Sequence, residues 1–275
     1  MKFKKILVFL PFIILSNGLI FSQPVKEHGQ LWVDGTKLKD KNGKVTVLHG
    51  MSYGWHNWWP RFYNAGTVKW LHEDWGCDLL RLAIGAEPDS GYIKQPAWSR
   101  NLLTTTADAA IKEGIYVIID WHSHNIRLEE AKAFFTDMAK TYGKYPNIIY
   151  EIFNEPDNET WPEIKAYSIE VIATIRKFDA NNVILVGTPR WDQDVNIAAD
   201  DPITGYKNIM YTLHFYAATH KQWLRDKADY AVKKGLPLFV SECSSMFANG
   251  DGKIDYTEMQ TWLDWMAKEQ ISWAI

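Results

Sequence analysis

A closed (β/α)8 TIM barrel is the fold class that the sequence predicts, and three observations carry it. Short apolar runs alternate with longer amphipathic stretches, the pattern of parallel strands joined by helical crossovers. Eight such runs occur within 275 residues, a length that suits one large domain of the size at which these barrels close. No Gly-rich phosphate loop marks the open, doubly wound alternative, and no repeat, low-complexity linker or second domain interrupts the pattern.

The elements follow in order. Lys2, Lys4 and Lys5 precede an apolar stretch from Ile6 to Leu15, and small and polar residues follow. This is the pattern of a secretory signal peptide over 1–22. Pro11, Ser16, Asn17 and Gly18 interrupt the stretch well short of the roughly 20 apolar residues that a membrane span needs. Cleavage near Ser22 or Gln23 is therefore expected, leaving a barrel domain over 23–275, secreted to the extracellular space or periplasm and not stably inserted in a membrane.

A β-hairpin about Asp34-Gly35 comes next, then a turn at Asn42-Gly43 and a first barrel strand from Val45 to His49, with the hairpin as a lid over one barrel end. Seven further strands are read at 79–83, 115–122, 147–155, 182–187, 209–216, 236–242 and 271–275. Helices are read near 67–75, 100–113, 128–142, 161–178, 221–234 and 256–269, whereas the Asp-rich 187–208 connection is at most weakly helical. The sequence stops at Ile275, within the eighth strand, so the expected barrel is truncated there, lacks its last helix and leaves an apolar strand edge uncovered.

Composition narrows the partners. A net charge of -3 with both signs scattered along the chain provides no basic stripe for nucleic acid, and a neutral partner is expected, bound by a monomer. Of fourteen tryptophans, Trp55, Trp58, Trp59, Trp98 and Trp191 fall in connections, where flat faces with a polar edge suit stacking on sugar rings. Trp262 and Trp265 follow a helical period and are expected in the core. Cys77 and Cys243 leave one disulfide open, with two unpaired core thiols the preferred reading.

Barrel chemistry sits at the C-terminal ends of the strands. The polar residues there are Arg81, Asp120 with His122, Asn154 with Glu155, His214 with Tyr216, and Glu242. Closure would bring them around one mouth. Two carboxylates roughly 5 to 5.5 Å apart are what retaining glycoside hydrolysis needs, one as acid and one as nucleophile. Arg81 would hold Glu242 ionised, while Glu155, beside a second negative charge, would keep its proton near neutrality.

At these residues the chain resembles glycoside hydrolase family 5, the cellulase A family, and especially its secreted bacterial endo-β-1,4-glucanases. The resemblance runs from about Gln30 to the last residue and rests on "IIYEIFNEP" and "LPLFVSE" together with "RLA" at 81, "DWH" at 120 and "HFY" at 214, in order. It implies Glu155 as acid/base and Glu242 as nucleophile, Asn154 on the sugar 2-hydroxyl, Arg81 and Tyr216 holding the nucleophile, and His122 and His214 lining the subsite. Relatives usually carry a histidine two residues after "GMS"; here Gly54 stands at that spacing and His56 comes later, so His56, Trp55, Trp58 and Trp191 are further substrate-binding candidates. A stacking tryptophan that relatives place about three residues past the counterpart of Trp273 falls beyond Ile275.

Other signals carry less. "HSH" at 122–124 could offer a metal two histidines on one strand face, but no further ligands stand out and no metal or organic cofactor is expected. "NGDGKIDYTE" at 249–258 imitates a calcium loop whose first ligand position would be Phe247, which cannot ligate. Glu151 shares the parity of Glu155 but would lie roughly 13 Å deeper along an extended strand, as a buried structural carboxylate with an unidentified partner. The expected activity is retaining cleavage of internal β-1,4 bonds in cellulose or related β-glucans. Mannan or mixed-linkage glucan is the alternative substrate, and a catalytically impaired glucan-binding fragment the alternative class.

Overall fold

The computed structural model describes residues 23–275. The expected signal peptide lies outside the described residues. A short helix α1 (Pro24–His28) leads into the hairpin β1 (Trp32–Asp34) and β2 (Lys37–Lys39), joined through Gly35 at φ 56°. This backbone suits glycine, which pays no Cβ penalty there.

Eight parallel strands then close on themselves: β3 (His49–Ser52), β4 (Leu79–Gly85), β5 (Tyr116–His122), β6 (Ile148–Glu151), β7 (Val183–Val186), β8 (Ile209–Tyr216), β9 (Leu238–Ser244) and β10 (Trp273–Ala274). The predicted first strand is displaced. Val45 makes only an isolated bridge to Lys39 within the hairpin region, and the barrel strand begins at His49. The eighth strand has two residues rather than five, yet both its edges are paired: Trp273 is in register with His49 and with Val240. An open strand edge, expected from the sequence, is therefore absent from the described residues.

Helices α2 (Ala65–Trp75), α3 (Pro96–Glu113), α4 (Leu128–Tyr142) and α5 (Trp161–Arg176) follow successive strands. The 187–208 connection holds a single turn, α6 (Pro189–Asp192), whose last three residues are left-handed, and one short helix, α7 (Val195–Asp200), where the sequence pattern is too polar to show them. α8 (Gln222–Lys233) and α9 (Tyr256–Glu269) complete the set. Local signals fix several ends: Asn64 accepts from Thr67 N at the start of α2, Thr160 and Glu163 form a capping box on α5, and Gly76 closes α2 in the left-handed region.

Strand residues alternate between two apolar regions. Outward side chains such as Leu80, Leu82, Val117, Ile119 and Tyr150 pack against the helices, with Trp262 and Trp265 in the same core. Inward side chains near the N-terminal strand ends, including Leu79, Tyr116, Ile118, Leu185 and Phe239, form a second cluster with Leu31, Leu38 and Leu48. The hairpin region thus plugs the N-terminal end of the barrel. Cys77 and Cys243 are both buried free thiols.

Candidate functional site

Above that apolar plug the inward positions turn polar. Arg81, fully buried on β4, is the hub. Its Nε and Nη2 donate to the two oxygens of Glu151 at 2.7 and 3.1 Å, and Nη1 donates to Glu242 Oε2 at 2.8 Å. Nη2 also donates to Asn154 Oδ1 at 2.7 Å and lies 2.9 Å from Asp120 Oδ2. Only a planar guanidinium can serve such a set in fixed directions.

Burial alone would raise the Glu242 carboxyl. Arg81 and His214, with a hydrogen bond from Tyr216, outweigh it and hold the group well below the usual carboxylate range. Tyr216 Oη donates to Glu242 Oε1 at 2.6 Å. Glu242 is therefore an anion with both oxygens oriented.

The position of Glu242 depends on a local irregularity. Thr212 is in register with Phe239, but His214 is in register with Glu242, so β9 carries an extra residue relative to β8. A bulge of this kind re-aims side chains. It lets consecutive residues both serve the interior: Ser241 Oγ bonds His214 and Glu151, while Glu242 meets Arg81 and Tyr216.

His214 links the carboxylates. Its Nδ1 lies 3.0 Å from Glu155 Oε1, and its Nε2 lies 2.8 Å from Ser241 Oγ and 3.5 Å from Glu151 Oε1. Burial would lower His214, but Asp192, Glu151, Glu155 and Glu242 raise it well above the ordinary histidine value. Glu151 and Glu155 thus sit on opposite nitrogens of one imidazole, and the deep separation expected from an extended strand does not arise, because β6 ends at Glu151. Glu151 is held by Arg81 and Ser241; burial would raise it, yet Arg81 and His214 bring its carboxyl down to about 2.

Glu155, His214 and Glu242 each offer an atom within 4.8 Å of the others. The carboxylates open onto different chambers: Glu155 lines one of about 430 Å³ with Trp191, His124 and His220, and Glu242 lines one of about 300 Å³ with Trp55 and His122, Tyr216 being common to both. His122 Nδ1 pairs with Asp120 Oδ2 at 2.7 Å; burial and Arg81 push His122 down to about 3, so the ring is neutral.

The structure therefore brings together Arg81, His122, Asn154, Glu155, His214, Tyr216 and Glu242, with Trp55 and Trp191 at the chamber walls. Trp58 stacks on Trp55 at 4.6 Å and is exposed, but it lines neither chamber. His56 is a correction. It is fully buried, its Nδ1 accepts from Gly85 N at 3.0 Å, and its Nε2 lies 2.7 Å from Ser99 Oγ, so it braces the end of β4 rather than meeting a ligand. His124, which the sequence marks only through its metal-like spacing, joins the site instead: its Nδ1 lies 3.2 Å from Glu155 O and its ring stacks on Trp55. Ser241 and Asp192 carry no sequence signal that marks them as part of the site.

A closed barrel of parallel strands with an oriented carboxylate pair at the C-terminal strand ends defines the class: a (β/α)8 protein whose site is spaced for retaining glycosidic chemistry. Residues 39–275 match the family model for cellulase, glycosyl hydrolase family 5, and the chain belongs to that family. It is 46% identical over 252 residues to an endoglucanase of Clostridium saccharobutylicum, covering 89% of this chain and 56% of that relative. The chain spans about half the length of the curated relatives it matches. A solved structure from Cytophaga hutchinsonii superposes with a TM-score of 0.90 at 43% identity, covering 92% of this chain and 83% of that one. A variant of the Thermobifida fusca endoglucanase Cel5A catalytic domain, in complex with cellotetraose, superposes with a TM-score of 0.87 at 32% identity, covering 92% and 86% of the two chains.

Proposed function

We propose that the chain is the catalytic domain of a secreted, monomeric endo-β-1,4-glucanase that cleaves internal bonds of cellulose or related β-glucans with retention. The observation that carries this reading is the close approach of Glu155 and Glu242, whose oxygens come within 4.8 Å of each other. That spacing suits attack by one carboxylate, whereas inverting enzymes hold the pair about 6.5 to 9.5 Å apart to admit a water. The names of the similar endoglucanases and the cellotetraose complex support a β-glucan as substrate.

In this mechanism Glu242, ionised and oriented by Arg81 and Tyr216, attacks the anomeric carbon while Glu155 gives its proton to the departing glycosidic oxygen. A covalent glycosyl ester forms. Glu155, now a carboxylate, takes a proton from water as the water attacks the same carbon, and Glu242 departs. Asn154 is set for the 2-hydroxyl of the sugar: its Oδ1 is occupied by Arg81, and its buried Nδ2 has no partner among the described residues. The apolar walls Trp55 and Trp191 would stack on sugar rings to either side. The signal pattern at 1–22 supports export.

Initial rates on carboxymethylcellulose, mannan and mixed-linkage β-glucan test the substrate. Fastest release from carboxymethylcellulose is expected; a clear preference for mannan would replace this assignment. Glu155→Gln and Glu242→Gln should each lower hydrolysis by about 10³-fold or more while leaving glucan binding largely intact.

A further inference from the structure

The segment that carries Trp191 has a backbone that its sequence does not favour. Arg190, Trp191 and Asp192 have φ of 58°, 57° and 60°, three successive non-glycine residues in the left-handed region. Such strain persists where surrounding contacts over-determine it, and it concentrates at functional sites. The holding contacts here are Trp191 N to Pro156 O at 2.9 Å, Asp192 N to Thr188 O at 3.2 Å, and Thr188 N donating to Asp192 Oδ1. The turn is thereby tied to the loop directly after Glu155.

Its effect on Asp192 is specific. The residue is fully buried, and its second oxygen, Oδ2, has no hydrogen-bond partner among the described residues. That oxygen lies 3.4 Å from His214 Nδ1, the same atom that lies 3.0 Å from Glu155 Oε1. The protonation of the ring can be followed from its neighbours. Ser241 Oγ has one hydrogen, which goes to Glu151 Oε1 at 2.7 Å, so His214 Nε2 must donate to Ser241. Nε2 is accordingly protonated, and the state of Nδ1 is left to the two carboxyls that face it.

We propose that Asp192 is a positioning residue for the acid/base step, offering His214 Nδ1–H a second acceptor so that the imidazole can follow Glu155 between its two protonation states. The inference rests on the retaining reading given above. While Glu155 carries its proton, Nδ1–H leans on Asp192 Oδ2. Once that proton has gone to the leaving oxygen, Nδ1–H turns to the new carboxylate of Glu155. Asp192 and His214 together neither gain nor lose a proton, the one that moves being that of Glu155, and the alternation adds one short-range rearrangement to each half of the cycle.

The groups that face His214 are Asp192, Glu155, Glu151 and Glu242, with Asp120 and His220 acting on it electrostatically from β5 and from the turn after β8. Of the carboxyls, Asp192 and Glu155 address Nδ1, whereas Glu151 is nearest Nε2. Burial raises the Asp192 carboxyl, while His214 and the Thr188 N–H favour its anion; in that ion pair, replacing Asp192 takes a negative group away from Glu155 and leaves Nδ1–H with Glu155 alone. Both changes favour the ionised form of the acid.

The test is Asp192→Asn, which keeps an oxygen for Thr188 N. Its kcat on cello-oligosaccharides should fall about tenfold with KM within about twofold, and the alkaline limb of its pH–rate profile should move down by about half a pH unit or more. The loss should shrink on an aryl cellobioside whose leaving group needs no proton. An unchanged alkaline limb, or a loss equal at every pH and for every leaving group, overturns the proposal while the wild type remains an active glucanase. A folded wild type that cleaves no β-glucan overturns the functional reading instead. Should D192N fail to fold, ring nitrogen NMR of the E155Q variant decides: a doubly protonated His214 is expected, and a ring protonated at Nε2 alone overturns the role of Asp192.

Discussion

Arg81 is the residue on which most of the site's charge converges. It reaches Glu151, Glu242, Asn154 and Asp120 from a fully buried position, and removing such a centre would leave several carboxylates uncompensated. Arg81→Lys keeps the charge but not the fork. It is expected to lower kcat/KM about a hundredfold through misplacement of Glu242 and to move the acid limb of the pH–rate profile upward. The sign follows from the depressed carboxyl: Arg81 keeps Glu242 ionised as pH falls below the ordinary carboxylate range, and a weaker partner surrenders part of that window. His56 gives a contrasting case. Burial pushes it down to about 4, so its neutral form contributes stability above the ordinary value near 6.5 that is lost as pH falls from there toward 4. His56→Ala should cost about 1–3 kcal/mol at neutral pH with KM little changed, and the gap from wild type in thermal melts should narrow as pH falls through that window. The Arg81–Glu242 contact was legible because the sequence sets both on strands of one closed barrel, although Arg81 lies within β4 and Glu242 within β9 rather than at their ends. The burial of His56 was not, since a histidine in an aromatic loop looks the same in sequence whether it meets ligand or backbone.

At the scale of elements, periodicity exposed what is regular and missed what is irregular. The helices at 128–142 and 256–269 have the expected bounds, because amphipathic spacing and clear ends coincide there. The displaced first strand reflects a short run that pairs only once before His49, so apolar character alone misplaced it. Neither the β9 bulge nor the left-handed turn at 190–192 could be read locally: both contradict residue preference and are imposed by tertiary contacts, the turn at about 1–2 kcal/mol for each left-handed residue. The N-terminal hairpin is the opposite case, a regular element doing a regular job. Leu38 is buried in the plug beneath the polar layer. Leu38→Ala should therefore cost about 2–5 kcal/mol in denaturant unfolding while kcat/KM at 25 °C stays within about twofold. A comparable fall in kcat/KM would show that the plug also sets the position of the polar layer.

For the whole molecule the seam between its first and last strands decides whether stability and activity are separable. The short β10 closes the ring through Trp273 N to Leu48 O at 2.9 Å, Ile275 N to Gly50 O at 3.1 Å and Ser52 N to Ile275 O at 2.8 Å. On its other side β3 pairs with β4, placing Gly50 opposite Leu79 and Ser52 opposite Arg81. Close approach at this seam depends on Gly50: a Cβ there would lie 2.1 Å from the Leu79 carbonyl oxygen, a backbone atom that cannot swing aside. Gly50→Ala must part β3 from β4, and the displaced partner is the strand that carries Arg81. A loss of about 4 kcal/mol or more is expected by thermal or denaturant unfolding, and with it a fall in kcat/KM measured well below the melting temperature on the folded fraction. The coupling is the point of the measurement. Leu38→Ala should weaken the barrel without moving its chemistry, whereas Gly50→Ala should do both, because the strand it shifts is the one that holds the nucleophile's cation. Full activity in a destabilised Gly50→Ala protein would mean that Arg81 is positioned by its carboxylates alone and not by the closure of the ring.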